Sequence, residues 1–403
     1  MKQWHGSLFF FLVLGSHAVQ AQSWKVSGDG ALYGYAIQTS LNDASVLNPQ
    51  NQIARLAESR EIVEVRYNFK ARYDKLQLSA RPIVLAQKSH GGESALAKDA
   101  FLSQWQVQLP VAEYWSASAG REVLNWGAGQ FRSPSSPFYF DNGRSNPVRE
   151  LSGMDVAKLA WTPNVNTALT FAKIVGSGHM ATTDDLWRNG WLAKWEQRGE
   201  TWAGGAVVAK SAAQAAFIGV HGQKTLDEAW LMYGEVGSGS LNSALVSPAD
   251  LTMPFVVQAK TPRRSVGLLG VAYTLESGDS LYAEWLHDNA GYTGSESAAY
   301  FNRAASSPSQ AGLALGYAPR LLNRNYLHLI RQTNLTDTNG FTRLMYTRNL
   351  DSGGNEFGGY VEQSVGNRVA LYGLAVISSG GAKGEFSSLF KRLVMVGCKI
   401  TLP

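Results

Sequence analysis

Basic side chains recur at alternate positions in several stretches of this sequence, a spacing that places them on one side of an extended chain. Ammonium and guanidinium groups arranged in this way favour anions, and the guanidinium of Arg in particular binds a carboxylate through two parallel hydrogen bonds. The candidate residues for a solute path are Arg66, Lys70, Arg72, Lys75, Arg81, Lys194, Arg198 and Arg324. The same side chains can instead fill a wet interior and pair across strands with acids of the same face, which are Glu64, Glu196, Glu284 and Glu362. The sequence leaves both interpretations open.

A second candidate for chemistry is the run "GDSL" at residues 278–281, which matches the nucleophile block of a lipase and esterase family. That block needs a strand-to-helix setting near the N-terminus and a later Asp-x-x-His. Here the run lies late in the chain, within "LESGDSLYAEW", and no Asp-x-x-His follows it. Gly-Asp is also suited to a hairpin turn. We therefore predict a turn, and a lipid-active esterase is kept as a remote alternative.

The remaining sequence offers little for catalysis or cofactor binding. Beyond residue 21 the histidines are scattered, with no spacing that indicates metal ligation: His90, His179, His221, His287 and His328. Cys398 is the single cysteine, which excludes an internal disulfide and a multi-cysteine metal site. The formal net charge of +5 is too small to indicate a nucleic-acid partner. We expect no cofactor, no metal and no enzymatic activity.

The N-terminus indicates export. Residues 1–21 read "MKQWHGSLFFFLVLGSHAVQA", with a basic residue, a short apolar run and small side chains before a cut after Ala21. The apolar run is too short for a transmembrane helix, which needs about 20 apolar residues. We therefore predict a signal peptide over residues 1–21 and one mature domain over residues 22–403.

Alternating polarity is the main structural signal in the mature chain. In residues 60–84 the apolar side chains of Val65 and Phe69 point one way, and the polar side chains of Arg66 and Asn68 point the other. A period of two predicts strands with one apolar and one polar face. Units of about ten such residues recur along the chain, separated alternately by short turns and long connections.

This succession predicts an all-β fold, a transmembrane antiparallel up-and-down β-barrel rather than a soluble β-protein. With the short turns facing the periplasm, the count is 18 strands, and 16 strands is the fallback. The count requires residues 300–322 to be loop with a helical turn, although "AGLALGYA" alone could pass for a strand. The facing of the strands around 154–175 and 200–235 stays open.

The stretch "GREVLNWGAGQFRSPSSPFYFDNGR", residues 120–144, interrupts the strand pattern. Its prolines forbid regular pairing, and its aromatic run would be costly to leave in water. We therefore expect residues 127–153 to form a long loop of which residues 127–147 fold into the lumen as a constriction, with an outward loop as the alternative. The residues assigned to the constriction are Arg132, Phe138, Tyr139, Phe140 and Arg144. Trp126 is expected to anchor the strand end at the lipid–water interface.

This stretch and the following "ELSGMDVAKLAWTPN" resemble outer-membrane porins of the alginate-export and related substrate-specific channel type. In those proteins a "GR/K…WG" strand end leads into a loop that contains prolines. The C-terminal run "NLDSGGNEFGGYVEQSVGNRVALYG…EFSSLFKRLVMVGCKITLP" is similar to their last three strands. The resemblance implies outer-membrane lipid, the barrel assembly machinery and a small-molecule or saccharide solute as partners. Such barrels usually end on an aromatic residue, whereas this chain ends Leu402-Pro403.

The sequence thus predicts a channel of the cell outer membrane that passes solutes through a basic, loop-constricted lumen. By resemblance, the solute is an anionic saccharide or a small organic anion. A non-conducting barrel that scaffolds an export or surface-assembly complex is the first alternative, and the esterase is the second.

Overall fold

The computed structural model describes residues 23–92, 94–179, 186–240, 244–259, 262–334 and 340–402. The predicted signal peptide, residues 1–21, lies outside the described residues.

Strands dominate the described part of the chain, with two short helices late in it. In chain order the elements are β1 (Lys25–Leu41), β2 (Ser59–Tyr73), β3 (Leu76–His90), β4 (Ala95–Ala112), β5 (Trp115–Glu122), β6 (Met154–Asn164), β7 (Thr167–Gly176), β8 (Trp191–Arg198), β9 (Trp202–Lys210), β10 (Phe217–Thr225), β11 (Trp230–Gly239), β12 (Ala244–Val246), β13 (Val256–Gln258), β14 (Arg264–Thr274), β15 (Ser280–Asp288), α1 (Gly294–Ala304), α2 (Pro308–Tyr317), β16 (Asn325–Gln332), β17 (Gly340–Asn349), β18 (Asn355–Val365), β19 (Val369–Ser379) and β20 (Phe390–Leu402).

The predicted count of 18 strands is confirmed. All strands except β12 and β13 form one 18-stranded sheet in which chain neighbours pair antiparallel. The sheet closes because β1 also pairs with β20, from Gly30 opposite Leu402 to Leu41 opposite Phe390. β12 and β13 pair only with each other, as a hairpin in the connection between β11 and β14. Closure removes free edges, which a membrane barrel requires because lipid offers no hydrogen-bond partners.

Apolar side chains face outward on this barrel. On β3 the inward side chain of Ile83 is 1% exposed, whereas the outward side chain of Val84 is 56% exposed. The same outward exposure recurs around the wall, for example at Phe357, Leu371 and Val396. A surface that exposes its large apolar residues on alternate positions fits hydrocarbon rather than water. The facing predicted for residues 60–84 agrees with this arrangement.

The facing of β2 gives a direct test of which side meets lipid. Val65 points outward and Asn68 points into the lumen, where its Nδ2 donates to Asp29 Oδ2 at 2.8 Å. We expect Val65→Arg to cost roughly 2–4 kcal/mol, because a charged side chain must enter the apolar belt. We expect Asn68→Arg to fold normally beside Asp29. Heat-modifiable gel mobility and denaturant unfolding of both variants measure this, and the reverse pattern would contradict the assigned facing.

The long connections lie at one end of the barrel and the short turns at the other, where both chain ends also lie. Residues 300–322 are loop with helix rather than strand, as the strand count required, because α1 and α2 occupy most of them. The connection after β3 is short, since β3 and β4 continue to pair as far as Ser89 and Ala95. No helix in the described ranges has the length and apolarity to cross a membrane.

At the long-loop end the connections pack together as a cap. Its apolar core draws on the connection after β1, the β12–β13 hairpin and the α1–α2 segment: Leu47, Leu245, Phe255, Tyr292, Tyr300, Phe301, Ala304, Ala314 and Leu322. Arg303 of α1 fastens the hairpin loop by donating to Met253 O at 2.7 Å and to Ser247 Oγ at 2.8 Å. The cap therefore joins loops that are far apart in the sequence.

Candidate functional site

The connection between β5 and β6, residues 123–153, turns inward and lies inside the barrel; we call it the lumen loop. Its first half packs on the inner face of the wall formed by β7–β11 and β14–β16. Two buried carboxylates of that wall, Glu235 on β11 and Glu284 on β15, receive it, and each is 1% exposed.

Glu235 collects hydrogen bonds from three positions of the lumen loop. Gly129 N donates to Oε1 at 2.7 Å, and Ser133 Oγ and Ser135 Oγ donate to Oε2 at 2.9 and 2.7 Å. The backbone N–H of Ser135 also reaches Oε2, at 3.2 Å. Hydrogen bonds to an ionised carboxylate are stronger than those between neutral groups. Glu235 thus fixes the loop to the wall across about a hundred residues of sequence.

Glu284 holds the adjacent residues in the same way. Gln130 N donates to Oε1 at 2.6 Å and Phe131 N donates to Oε2 at 2.7 Å. The hydroxyl of Tyr233 completes the site by donating to Oε1 at 2.6 Å. Amide and hydroxyl donors, rather than a cation, therefore satisfy this buried carboxylate.

Glycines let the lumen loop lie directly on the wall. A side chain at Gly237 would overlap the carbonyl oxygen of Pro134, and one at Gly219 would overlap that of Ser135. Glycine within a strand often marks close approach by another backbone. The inner faces of β10 and β11 are therefore shaped to receive the loop.

The prediction that Trp126 anchors the strand end at the lipid interface is wrong. Its side chain is 8% exposed and lies in the lumen, in a cluster with Leu192 and Val207. Its Nε1 donates to Ser135 O at 3.0 Å. The chain turns inward before it reaches the lipid surface. In the lumen, apolar side chains pack on the ring of the indole, and a carbonyl group of the loop accepts the hydrogen bond from its N–H. Trp126 therefore supports the base of the lumen loop.

The aromatic residues assigned to the constriction pack in two regions of the inner wall. Phe138 contacts Trp126 and Trp187 edge-on, with ring centroids 6.2 and 5.3 Å apart. Tyr139 packs beside Phe138 on the neighbouring cluster of Met154, Val156 and Ile174, and its hydroxyl donates to Ser152 O at 2.7 Å. Phe140 packs on the cluster formed around the inner face of β14–β16. Together they hold the loop by burial of apolar surface.

The two arginines assigned to the constriction bind the loop's own backbone. Arg144 donates to the carbonyl oxygens of Ala128 at 2.8 Å and Gly127 at 3.1 Å. Arg132 donates from Nη1 to Phe131 O at 2.7 Å, and its guanidinium lies 4.3 Å from the centre of the Phe131 ring. Burial lowers the pKa of Arg132, but an arginine side chain keeps its proton in a protein. Arg144 is therefore structural, and Arg132 adds a positive charge inside the lumen.

The second half of the lumen loop crosses to the opposite wall, where it binds two of the predicted solute-path arginines. Arg66 pairs with Glu64 at 2.8 Å, lies 3.5 Å from Glu150 and donates to Val148 O at 2.8 Å. Arg81 pairs with the same Glu150 at 3.1 Å. Arg66 is only 7% exposed. It is thus neutralised and fastens the loop, in agreement with the alternative interpretation of pairing within the lumen.

The other predicted solute-path residues lie at the two ends of the barrel or pair locally. Lys194 forms an ion pair with Glu196 at 2.9 Å, and Arg324 lies 3.5 Å from Glu296 in the cap. At the short-turn end the exposed residues are Lys70, Arg72, Lys75 and Arg198. The structure therefore does not bring the eight candidates together as one path.

Lys25 joins Lys70 and Arg72 at the short-turn mouth. Lys25 lies opposite Arg72 on the neighbouring strand, and both line a shallow pocket of about 450 Å³ with Lys70, Ser79 and polar neighbours. Arg72 donates to Asp74 O at 3.1 Å. The sequence pattern had identified Lys70 and Arg72 but not Lys25, because β1 alternates weakly at its start.

A cavity of about 370 Å³ lies between the lumen loop and the cap; we call it the upper cavity. Aromatic and basic residues line it: Phe140, Trp187, Phe217, Tyr292, Arg264, Arg320 and Arg324, together with the acids Asp288 and Glu296. The guanidinium of Arg320 lies 5.4 Å from the centre of the Phe140 ring. Among the described residues it has no hydrogen bond or ion pair. Sequence reasoning missed Arg320, because it lies in an irregular segment with no periodic signal.

The cap is joined to the wall by Glu385. Leu322 N donates to its Oε1 at 2.7 Å, and the hydroxyl of Tyr326 and Nδ2 of Asn349 donate to its Oε2 at 2.6 Å each. Burial raises the pKa of this carboxyl, against the opposing effect of these hydrogen bonds. The upper cavity thus lies between two parts that are both held to the wall, the cap on one side and the lumen loop on the other.

The "GDSL" run forms the short turn between β14 and β15. Gly278 has φ +82°, a conformation that favours glycine, and Asp279 pairs with Arg331 at 3.0 Å. Within the described ranges no group of three or more His, Cys, Asp or Glu side chains is arranged to hold a metal ion. The turn prediction for this run is confirmed.

A closed 18-stranded antiparallel barrel with an apolar outer belt has the porin fold. Solved structures of Pseudomonas aeruginosa proteins share it. OccK5 (OpdH) matches with a TM-score of 0.58 at 7% identity, covering 94% of this chain and 98% of that chain. OccK7 (OpdD) gives 0.56 at 10% identity, covering 94% and 99%, and OccK11 (OpdR) gives 0.54 at 10% identity, covering 94% and 96%. No protein-family model and no curated protein matches the sequence. The likeness is one of fold.

Proposed function

We propose that this protein is an outer-membrane channel for small organic anions, including acidic saccharides. The porin fold and the apolar belt support residence in the outer membrane, and the similarity to OccK proteins supports passage of a small solute. The lumen loop narrows the barrel, which at 18 strands is otherwise wide enough for an aqueous channel. Discrimination between solutes then takes place beside the loop.

One observation carries the choice of anions. Arg320 in the upper cavity has its guanidinium against Phe140 and forms no hydrogen bond or ion pair among the described residues, although Asp288 of the same cavity acts on it electrostatically. A guanidinium with free donors binds a carboxylate or phosphate through two parallel hydrogen bonds. The rings of Trp187 and Phe217 in the same cavity suit the apolar face of the solute. The solute that fits is a small molecule that carries one acidic group and an apolar or sugar-like face.

The basic mouth at the short-turn end supports the same charge preference. We expect a reversal potential that favours anions at low salt and declines as ionic strength rises, because screening shortens the reach of the charges. Replacing Lys25, Lys70 and Arg72 together by Gln is expected to move that potential toward zero. Lys210→Gln on the outer face is the matched control and is expected to leave it unchanged.

The variant Arg320→Gln distinguishes binding of an anionic solute in the upper cavity from the general effect of positive charge along the lumen. We expect this variant to conduct normally while losing most of the current block that a monocarboxylic sugar acid produces in the wild type. A wild-type barrel that prefers cations would contradict the proposal. A correctly folded wild-type barrel without conductance would favour the scaffold alternative.

A further inference from the structure

The upper cavity contains two opposite charges that do not pair with each other. Asp288, the last residue of β15, is 3% exposed. Arg320 lies in the segment after α2 and acts on Asp288 electrostatically, but no ion pair joins the two among the described residues. Both side chains line the cavity. The cavity therefore presents a cation and an anion to the solute that occupies it.

One carboxylate oxygen of Asp288 lacks a partner. Its Oδ1 accepts from Ala290 N at 2.8 Å, which orients the carboxylate at the end of the strand. Its Oδ2 has no hydrogen bond or ion pair within the described ranges. Carboxylates buried in proteins are normally paired with a cation or fully hydrogen-bonded. Oδ2 is therefore available to a donor group of the solute.

A solute carboxylate at Arg320 changes the electrostatic balance at Asp288. The basic groups that act on Asp288 are Arg320, His287 and Arg264, and Arg264 also donates to Asn289 O at 3.0 Å. A carboxylate bound to Arg320 offsets the charge of that guanidinium and adds a second negative charge near Asp288. Like charges repel, and they do so more strongly in a site that excludes water. A solute that brings its own cation avoids this repulsion.

We propose that Asp288 determines the specificity of the upper cavity by binding the ammonium group of a zwitterionic solute, an α-amino acid with an apolar side chain. The carboxylate of the solute accepts two parallel hydrogen bonds from Arg320, and its ammonium group donates to Asp288 Oδ2. The apolar side chain of the solute packs on the rings of Trp187 and Phe217, which line the same cavity. The assignment rests on the proposed carboxylate site at Arg320, and it adds the group that the solute carries beside its carboxylate.

Current block by a matched set of solutes tests this assignment in the intact barrel at neutral pH. Phenylalanine carries both charges, hydrocinnamate lacks the ammonium group, and phenyllactate has a hydroxyl in its place. The concentration of each solute that halves the conductance gives its affinity. We expect phenylalanine to bind at least about tenfold more tightly than hydrocinnamate, because its ammonium group adds a charge-assisted hydrogen bond. We expect phenyllactate to stay within about threefold of hydrocinnamate, because its hydroxyl brings no charge.

The variant Asp288→Asn removes the negative charge and keeps an oxygen that accepts from Ala290 N. We expect it to bind phenylalanine about tenfold more weakly than the wild type does, and hydrocinnamate at least as tightly, because the repulsion is gone. A loss of affinity for one solute and not the other does not arise from misfolding. Glu362→Gln removes a luminal negative charge outside the upper cavity and is expected to leave both affinities unchanged.

Equal block of the wild type by phenylalanine and hydrocinnamate would overturn the role of Asp288 and leave the carboxylate site at Arg320 in place. Block by phenyllactate as strong as that by phenylalanine would also overturn it, because the cavity would then select a hydroxy acid. So would an Asp288→Asn variant that keeps the preference for phenylalanine. Failure of the proposed function has a different signature, block by hydrocinnamate that Arg320→Gln does not weaken, and it would remove this inference as well.

Discussion

Deletion of residues 133–141 is expected to raise the single-channel conductance of the barrel by at least about twofold, because the aperture widens when the loop is shortened. The segment belongs to no strand, and it lies against the inner wall at Gly219 and Gly237. Its two ends are already adjacent, since Ser133 N donates to Phe140 O at 2.9 Å. The shortened loop can therefore rejoin without pulling on β5 or β6.

Planar-bilayer recordings of the deletion variant at high salt measure this effect, with heat-modifiable mobility as the check on folding. Deletion of residues 251–252, the exposed tip of the β12–β13 hairpin loop between the carbonyl groups that Arg303 binds, is the control for loss of chain outside the lumen, and it is expected to leave conductance close to that of the wild type. Unchanged conductance in a folded 133–141 deletion would contradict the constriction and leave the segment without a role in permeation.

Glu235→Ala is expected to cost roughly 2–6 kcal/mol of unfolding free energy, because each buried backbone N–H left without an acceptor costs ~1–3 kcal/mol. The N–H groups of Gly129 and Ser135 are the donors that lose their acceptor. The two serine hydroxyls can rotate to other acceptors, so they add less. The same variant is expected to show larger current fluctuations, because the lumen loop is then held mainly by Glu284 and its aromatic contacts.

Denaturant unfolding in detergent micelles and the current noise of single channels measure the two effects. Glu362→Ala is the matched control, since Glu362 is also luminal but, among the described residues, accepts a hydrogen bond from the Tyr360 hydroxyl alone, at 2.6 Å. A loss of stability no larger for Glu235→Ala than for Glu362→Ala would show that the carboxylate tether is unimportant.

The barrel was predictable because its signal is local. Alternation of polarity with period two appears within each strand, and the regular return of turns separates one strand from the next. Even the difficult segment at residues 300–322 was correctly taken as loop, because the closed sheet needs an even strand count. Where alternation was weak, as in residues 200–235, the sequence did not show which side chains of β9–β11 face the lipid, because glycines and small residues occur on both faces of these strands.

The lumen loop was only partly predictable. Prolines and clustered aromatics in residues 127–153 indicated a sheltered loop, but nothing local identified its partners. Trp126 shows what the sequence does not distinguish. Its neighbours in the sequence are the same whether the apolar environment of the indole is lipid or a pocket in the lumen. The misassignment arose because hydrocarbon and the apolar patch around Leu192 and Val207 satisfy an indole equally well.

The sequence by itself determined the fold class, the strand count and which side of most strands meets lipid, since these follow from short-range periodicity and the chemistry of the bilayer.

The tertiary structure alone decided which charges are free. Arg66 and Arg320 are indistinguishable as basic residues in the sequence, yet the first is neutralised by Glu64 and Glu150, whereas the second forms no hydrogen bond or ion pair among the described residues. Contacts between residues about a hundred positions apart, such as Glu235 with Gly129, depend on barrel closure, and no local pattern encodes that.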